Sequence, residues 1–137
     1  ELVAIPFHPA LDRSIAERVA RAHPRGQVAD WASLDDLVRA VAGCDLIVTM
    51  RYHAGVLAAR LGIPFMALSP DGAEGKVGQV ARVVGEPVRG LDEVQEAISS
   101  AWGTREAQRV AGQRASANLG SRARGAAATA LHAIMTG

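Results

Sequence analysis

Apolar residues along this chain come in short bursts separated by amphipathic stretches, which is the pattern of strands alternating with helices. Leu2-Val3-Ala4-Ile5 is a continuous apolar run ended by Pro6 and reads as a strand buried on both faces. Residues 12–22 follow as an amphipathic helix, with Ile15, Val19 and Ala22 at helical spacing as its apolar stripe. His23-Pro24-Arg25-Gly26 breaks that helix, and residues 27–31 read as a second short strand. Ser33 is a good N-cap for the next helix, with Asp35 and Asp36 in its first turn. Leu34, Leu37, Val38 and Val41 supply its stripe, and Gly43 suits its end.

The centre carries the clearest pattern. Asp45 introduces Leu46-Ile47-Val48, a buried strand, followed by Thr49-Met50-Arg51-Tyr52-His53. Residues 54–61 form a short Ala-rich helix closed by Gly62, and Pro64 opens the apolar run Phe65-Met66-Ala67-Leu68. Strand, helix and strand in so few residues make a tight βαβ unit with a right-handed crossover. Beyond Ser69 comes a turn-rich loop, Pro70-Asp71-Gly72-Ala73-Glu74-Gly75, then Lys76 at the start of a helix running to Val84. Residues 91–102 are one more amphipathic helix, with Val94, Ala97, Ile98 and Ala101 on one side. Residues 1–103 therefore predict an α/β lobe, a Rossmann-like parallel sheet flanked by helices. Residues 104–137 are Ala-rich with few large apolar side chains, and predict a helical C-terminal extension that packs on the lobe or crosses to a partner.

Composition narrows the class. At 137 residues the chain has one domain's worth of core, and 49% hydrophobic with 21% charged residues excludes wholesale disorder. No run approaches 18 apolar residues, and the N-terminus lacks the layout of a signal peptide, so a soluble, cytoplasmic protein is expected. Cys44 is the single cysteine, which leaves no disulfide framework, and no histidines or carboxylates have metal-ligand spacing. The chain opens at Glu1 and runs straight into a strand, as expected of a domain from a longer protein. Residues 104–137 carry five arginines against Glu106 alone, yet the net charge is only +1, too little to point to nucleic acid.

Candidate chemistry collects after the central strand. In an open parallel sheet, ligands bind beyond the carboxyl ends of the strands, where helix N-termini aim their N–H groups. Arg51 offers a planar fork there for a carboxylate or phosphate, and His53 a group that can pass a proton. The competing structural account has Arg51 paired with a nearby aspartate and His53 capping the helix. Lys76 is the one lysine among 15 basic residues and belongs to the same rim, where a point charge suits a phosphate. His8 and Asp12 follow the first strand onto that rim, and Asp71 lies in the loop before Lys76.

The block from Cys44-Asp45 through Met50-Arg51-Tyr52-His53-Ala54, the Gly62-Ile63-Pro64 step, Leu68-Ser69 and Lys76-Val77 resembles the polysaccharide pyruvyl transferase family. Pro70 stands where that family usually has Tyr, and matching Lys76 to the family lysine requires an insertion after Asp71. The resemblance implies the C-terminal half of a GT-B-type two-lobed enzyme, inactive as a lone lobe. It implies transfer of pyruvate from phosphoenolpyruvate to a sugar of a cell-wall or exopolysaccharide precursor, forming a pyruvate ketal, as in S-layer anchoring. His53 and Lys76 are then catalytic, and Arg51, Tyr52, His8 and Asp71 bind substrate. No cofactor or metal is implied beyond the phosphoenolpyruvate donor. The implied partners are the sugar or lipid-linked acceptor, with peripheral membrane contact through it, and an N-terminal lobe. The alternatives are the nucleotide-sugar-binding lobe of a GT-B glycosyltransferase or epimerase, and a non-catalytic binding module.

Overall fold

A computed structural model describes residues 1–70, 74–84, 88–90 and 92–136, with side chains described as far as Ala117 except at positions 84 and 115. Strands and helices alternate: β1 (Leu2–Ala4), α1 (Pro9–Arg21), β2 (Gly26–Val28), α2 (Leu34–Ala42), β3 (Ile47–Thr49), α3 (Tyr52–Leu61), β4 (Phe65–Leu68), α4 (Lys76–Val84), β5 (Val88–Arg89) and α5 (Val94–Thr136). All pairings are parallel. β1 pairs with β2, and β3, β4 and β5 form a second group with β4 in the middle. Between β1 and β3 lies a cleft of about 120 Å³, lined by Val3, Ile5 and Phe7 on one side and Ile47 to Thr49 on the other. The result is an α/β fold with parallel strands flanked by helices, consistent with a Rossmann-like arrangement.

The core lies on one face of β4. Phe65 and Ala67 pack there against Leu37 and Val41 of α2, Ala58 of α3, and Val77 and Ala81 of α4. β4 is the strand buried on both faces, since Met66 on the opposite side is also fully enclosed. The other two apolar runs are not. Val3 at the centre of β1 is open to solvent, and Val48 at the centre of β3 is 38% exposed. Val48 points away from the side on which Ile47 packs against the core, and Val3 opens onto the cleft between β1 and β3.

Local signals explain most element ends. Ser33 caps α2 through a reciprocal bond with Asp36, whose carboxylate takes the Ser33 N–H at 3.0 Å while the Ser33 hydroxyl accepts from the Asp36 N–H. The hydroxyl of Ser33 and neighbouring N–H groups hold the Asp36 carboxyl below its ordinary range. Gly62 ends α3 in the left-handed region at φ 67°. β2 stops at Val28, three residues short of the expected end, because the Trp31 indole N–H turns inward to the Pro6 carbonyl at 2.7 Å.

Two helices depart from expectation. α1 begins three residues earlier, at Pro9, and buries Ala16 and Ala20, while Ile15 is 58% and Val19 45% exposed. Ala22 also lies outside. The helix is turned by about one residue because Gly26 of β2 comes up against the Ala20 backbone, and so close an approach admits only small side chains. The expected break after residue 102 does not occur either. α5 is one continuous helix of 43 residues, so the anticipated 103/104 boundary falls inside an element. Gly103 has open space around it, and the Thr104 hydroxyl bonds back to the Ser100 carbonyl at 3.1 Å.

α5 docks at the rim where β3 and β4 begin. Arg109 reaches the Asp45 carboxylate at 3.2 Å, and the Ser116 hydroxyl donates to the Arg60 carbonyl at 2.7 Å. Gly62 and Gly112 meet there, so closely that a Cβ on Gly62 would lie 2.9 Å from Gln113 Cγ. These contacts lie at the rim opposite the strand C-termini.

Candidate functional site

The turn after β3 is set by its last residue. The buried Thr49 hydroxyl accepts the Arg51 N–H at 2.9 Å, which lifts the chain out of the strand and leaves Arg51 in extended backbone as the N-cap of α3. No side chain caps α3, so the N–H groups of its first turn have no intrahelical partner and carry the positive end of the helix dipole. α3 starts at Tyr52, two residues before the sequence pattern places it, and this brings Tyr52 and His53 into that first turn. Gly55 sets how closely α3 approaches β4: a Cβ there would stand 3.3 Å from the Phe65 ring and 3.4 Å from Val77.

β4 ends one residue before Ser69, whose N–H donates to the Arg89 carbonyl at 3.1 Å and continues the pairing with β5. After the loop, α4 begins at Lys76 on the same rim. Together these ends enclose a cavity of about 450 Å³ lined by Arg51, Tyr52, His53, Ser69 and Lys76 among others. Tyr52 and His53 stand edge to face within it, ring centres 5.4 Å apart. A second hollow, of about 370 Å³ between α3 and α4, is lined mainly by apolar groups such as Val56, Val80 and Val83, and offers little for chemistry.

Electrostatics tie this rim to α1. Arg51 Nη2 pairs with Asp12 Oδ1, and Asp12 Oδ2 accepts the His8 N–H at 2.9 Å. The Asp12 side chain is 15% exposed and that of Arg51 55%. Partial burial works against ionising Asp12, but the His8 N–H and the Arg51 guanidinium outweigh it and hold the carboxyl below its ordinary range. Arg51 lines both the cavity and the cleft between β1 and β3, so the ion pair bridges strands that share no ladder bond.

Of the residues singled out from sequence, Arg51, Tyr52, His53 and Lys76 line the cavity. His8 does not line it; it is the exposed N-cap of α1, joined to the rim only through Asp12. Asp71 lies outside the described residues. The competing structural account is half met: Arg51 does pair with an aspartate, whereas His53 makes no capping bond. Sequence reasoning set Asp12 on this rim without its tie to Arg51, and gave Ser69 no role. The one available signal for Ser69 is a polar residue closing an otherwise apolar strand.

Cys44 lies before β3, at the other rim. Burial and the neighbouring Asp45 carboxylate push its thiol up, and it donates to the Ala40 carbonyl at 3.4 Å, so it is no nucleophile for this cavity. Among the described residues no group of three His, Cys, Asp or Glu could hold a metal ion, and no helix is long and apolar enough to cross a membrane.

Residues 1–72, more than half of the chain, match the family model described as polysaccharide pyruvyl transferase. The matched stretch includes Arg51, Tyr52, His53 and Ser69 and stops short of Lys76. No curated protein and no solved structure matches the chain.

Proposed function

This chain belongs to the polysaccharide pyruvyl transferase family, and on that premise we propose that it is the donor-binding, C-terminal lobe of a two-lobed GT-B-type transferase that moves pyruvate from phosphoenolpyruvate to a sugar of a cell-wall or exopolysaccharide precursor. One observation carries the proposal: Arg51, His53 and Lys76, from two helices, meet in one cavity beyond the ends of β3 and β4. Phosphoenolpyruvate presents a carboxylate and a phosphate. The Arg51 guanidinium gives one N–H group to Asp12 and, among the described residues, has no other partner, so the rest of its fork serves the carboxylate. Lys76 and the uncapped start of α3 serve the phosphate.

In the reaction, His53 donates a proton to the methylene carbon of phosphoenolpyruvate, and positive charge develops at the adjacent carbon. A sugar hydroxyl attacks that carbon and returns its proton to His53. Attack by a second hydroxyl then closes the ketal as inorganic phosphate departs, carrying off that hydroxyl's proton, with its remaining charge balanced by Lys76. The acceptor sugar is held mainly by the other lobe, with the lipid-linked precursor bringing the enzyme to a membrane surface in the cytoplasm. No metal or further cofactor takes part. The exposed apolar face on α1 and the open strand centres Val3 and Val48 fit a lobe that meets a second one.

The test is calorimetric. Phosphoenolpyruvate binds the native chain, and Arg51→Ala abolishes binding. His53→Asn leaves binding intact while ketal formation by the two-lobed enzyme collapses. Unchanged affinity in Arg51→Ala refutes the carboxylate clamp. Binding of a UDP-sugar in place of phosphoenolpyruvate moves the chain to the nucleotide-sugar class.

A further inference from the structure

Ser69 is 4% exposed, and among the described residues its hydroxyl has no hydrogen-bond partner. Among the described residues the fully enclosed side-chain polar atom without a partner is Gln108 Oε1, so the Ser69 oxygen itself is still reached by solvent. Its surroundings give the hydroxyl something to do. Ser69 lines the same cavity as Arg51, His53 and Lys76, and its backbone is fixed by the bond from its N–H to Arg89 at 3.1 Å. The uncapped N-terminus of the ten-residue helix α3 stands across that cavity. Donors from two elements, a lysine and an unpartnered hydroxyl therefore face one volume, and among the described residues no carboxylate lines it.

We propose that Ser69 is a substrate-binding residue whose hydroxyl donates a hydrogen bond to the phosphate of the donor substrate, beside Lys76. This rests on the function proposed above. The phosphate is favoured over the carboxylate because Arg51, held on the β3 turn by Asp12, already offers its fork to the carboxylate, and Ser69 shares the cavity with Lys76.

The test compares the native chain with Ser69→Ala and Ser69→Cys by calorimetry against phosphoenolpyruvate, inorganic phosphate and pyruvate. Cysteine keeps the volume and has only a weak donor, so both variants share the effect. The expected loss is about ten-fold or more in affinity for phosphoenolpyruvate and phosphate, with pyruvate unchanged. The melting temperature should hold in Ser69→Ala, because the hydroxyl it removes has no partner among the described residues; a hydroxyl with a structural role would lower it. Native affinity in either variant overturns the assignment and leaves the proposed function standing. A loss confined to pyruvate overturns the phosphate assignment. If the native chain binds phosphate but not phosphoenolpyruvate, the proposed function falls while the phosphate titration still decides for or against Ser69. Binding of none of the three overturns both.

Discussion

Replacing Asp12 by asparagine removes one negative charge from the junction between α1 and the β3–α3 turn while keeping an oxygen for the His8 N–H. The native carboxylate accepts that N–H at 2.9 Å and pairs with Arg51 through its other oxygen. Exposed ion pairs contribute about 0–1 kcal/mol, and breaking a buried one costs about 3–5 kcal/mol. With Arg51 at 55% exposure and Asp12 at 15%, solvent screening places this pair near the lower end, and Asp12→Asn should cost about 1 kcal/mol.

The pH dependence identifies the cause. Asp12 has a carboxyl held below the ordinary 3.8, so the unfolded chain binds more protons than the folded one near that pH. The stabilisation is therefore complete above about pH 4 and fades as pH falls through the lower, folded value. Urea titrations followed by circular dichroism should show the native chain ahead of Asp12→Asn at neutral pH. The gap should close in acid and narrow in about 1 M salt, where the Debye length is only about 3 Å. An equal gap at neutral and acid pH, or none at neutral pH, would refute the electrostatic account of this junction.

Two further substitutions examine the fold. Because Ala20 and not Ile15 faces inward, Ile15→Ala should change stability by less than about 0.5 kcal/mol, whereas Ala20→Leu should cost about 1–3 kcal/mol by overpacking; chemical denaturation giving the reverse order would turn α1 back to the face expected from its stripe. Gly62→Ala should cost at least about 1 kcal/mol from the left-handed backbone alone, with more from crowding against Gln113; an unchanged melting temperature would refute the left-handed end of α3, and a loss no larger than the backbone cost would refute the docking of α5 at that glycine.

Much of the layout was legible because the relevant forces are local. Four successive apolar residues between Pro64 and Ser69 do form the buried strand β4, Ser33 does cap α2, and Gly62 does end α3. Each depends on a side chain or backbone preference within a few residues. β5 escaped notice because a two-residue strand leaves no periodicity to read. The facing of α1 escaped it because Ile15 with Val19 and Ala16 with Ala20 are both apolar rows at helical spacing. Only the close approach of Gly26 decides between them.

The candidate site divides along the same line. The Met-Arg-Tyr-His turn, and with it the family, lay in the sequence itself, since a run of contiguous residues at a strand end is a local feature and the family match covers it. Which groups join that turn was decided in three dimensions. Asp12 stands 39 residues from Arg51 and meets it only because a parallel sheet brings successive strand ends to one rim. Ser69 and Lys76 meet His53 for the same reason, across the βαβ crossover and the helix that follows. Local chemistry named the turn, and the parallel arrangement of short strands gave it partners.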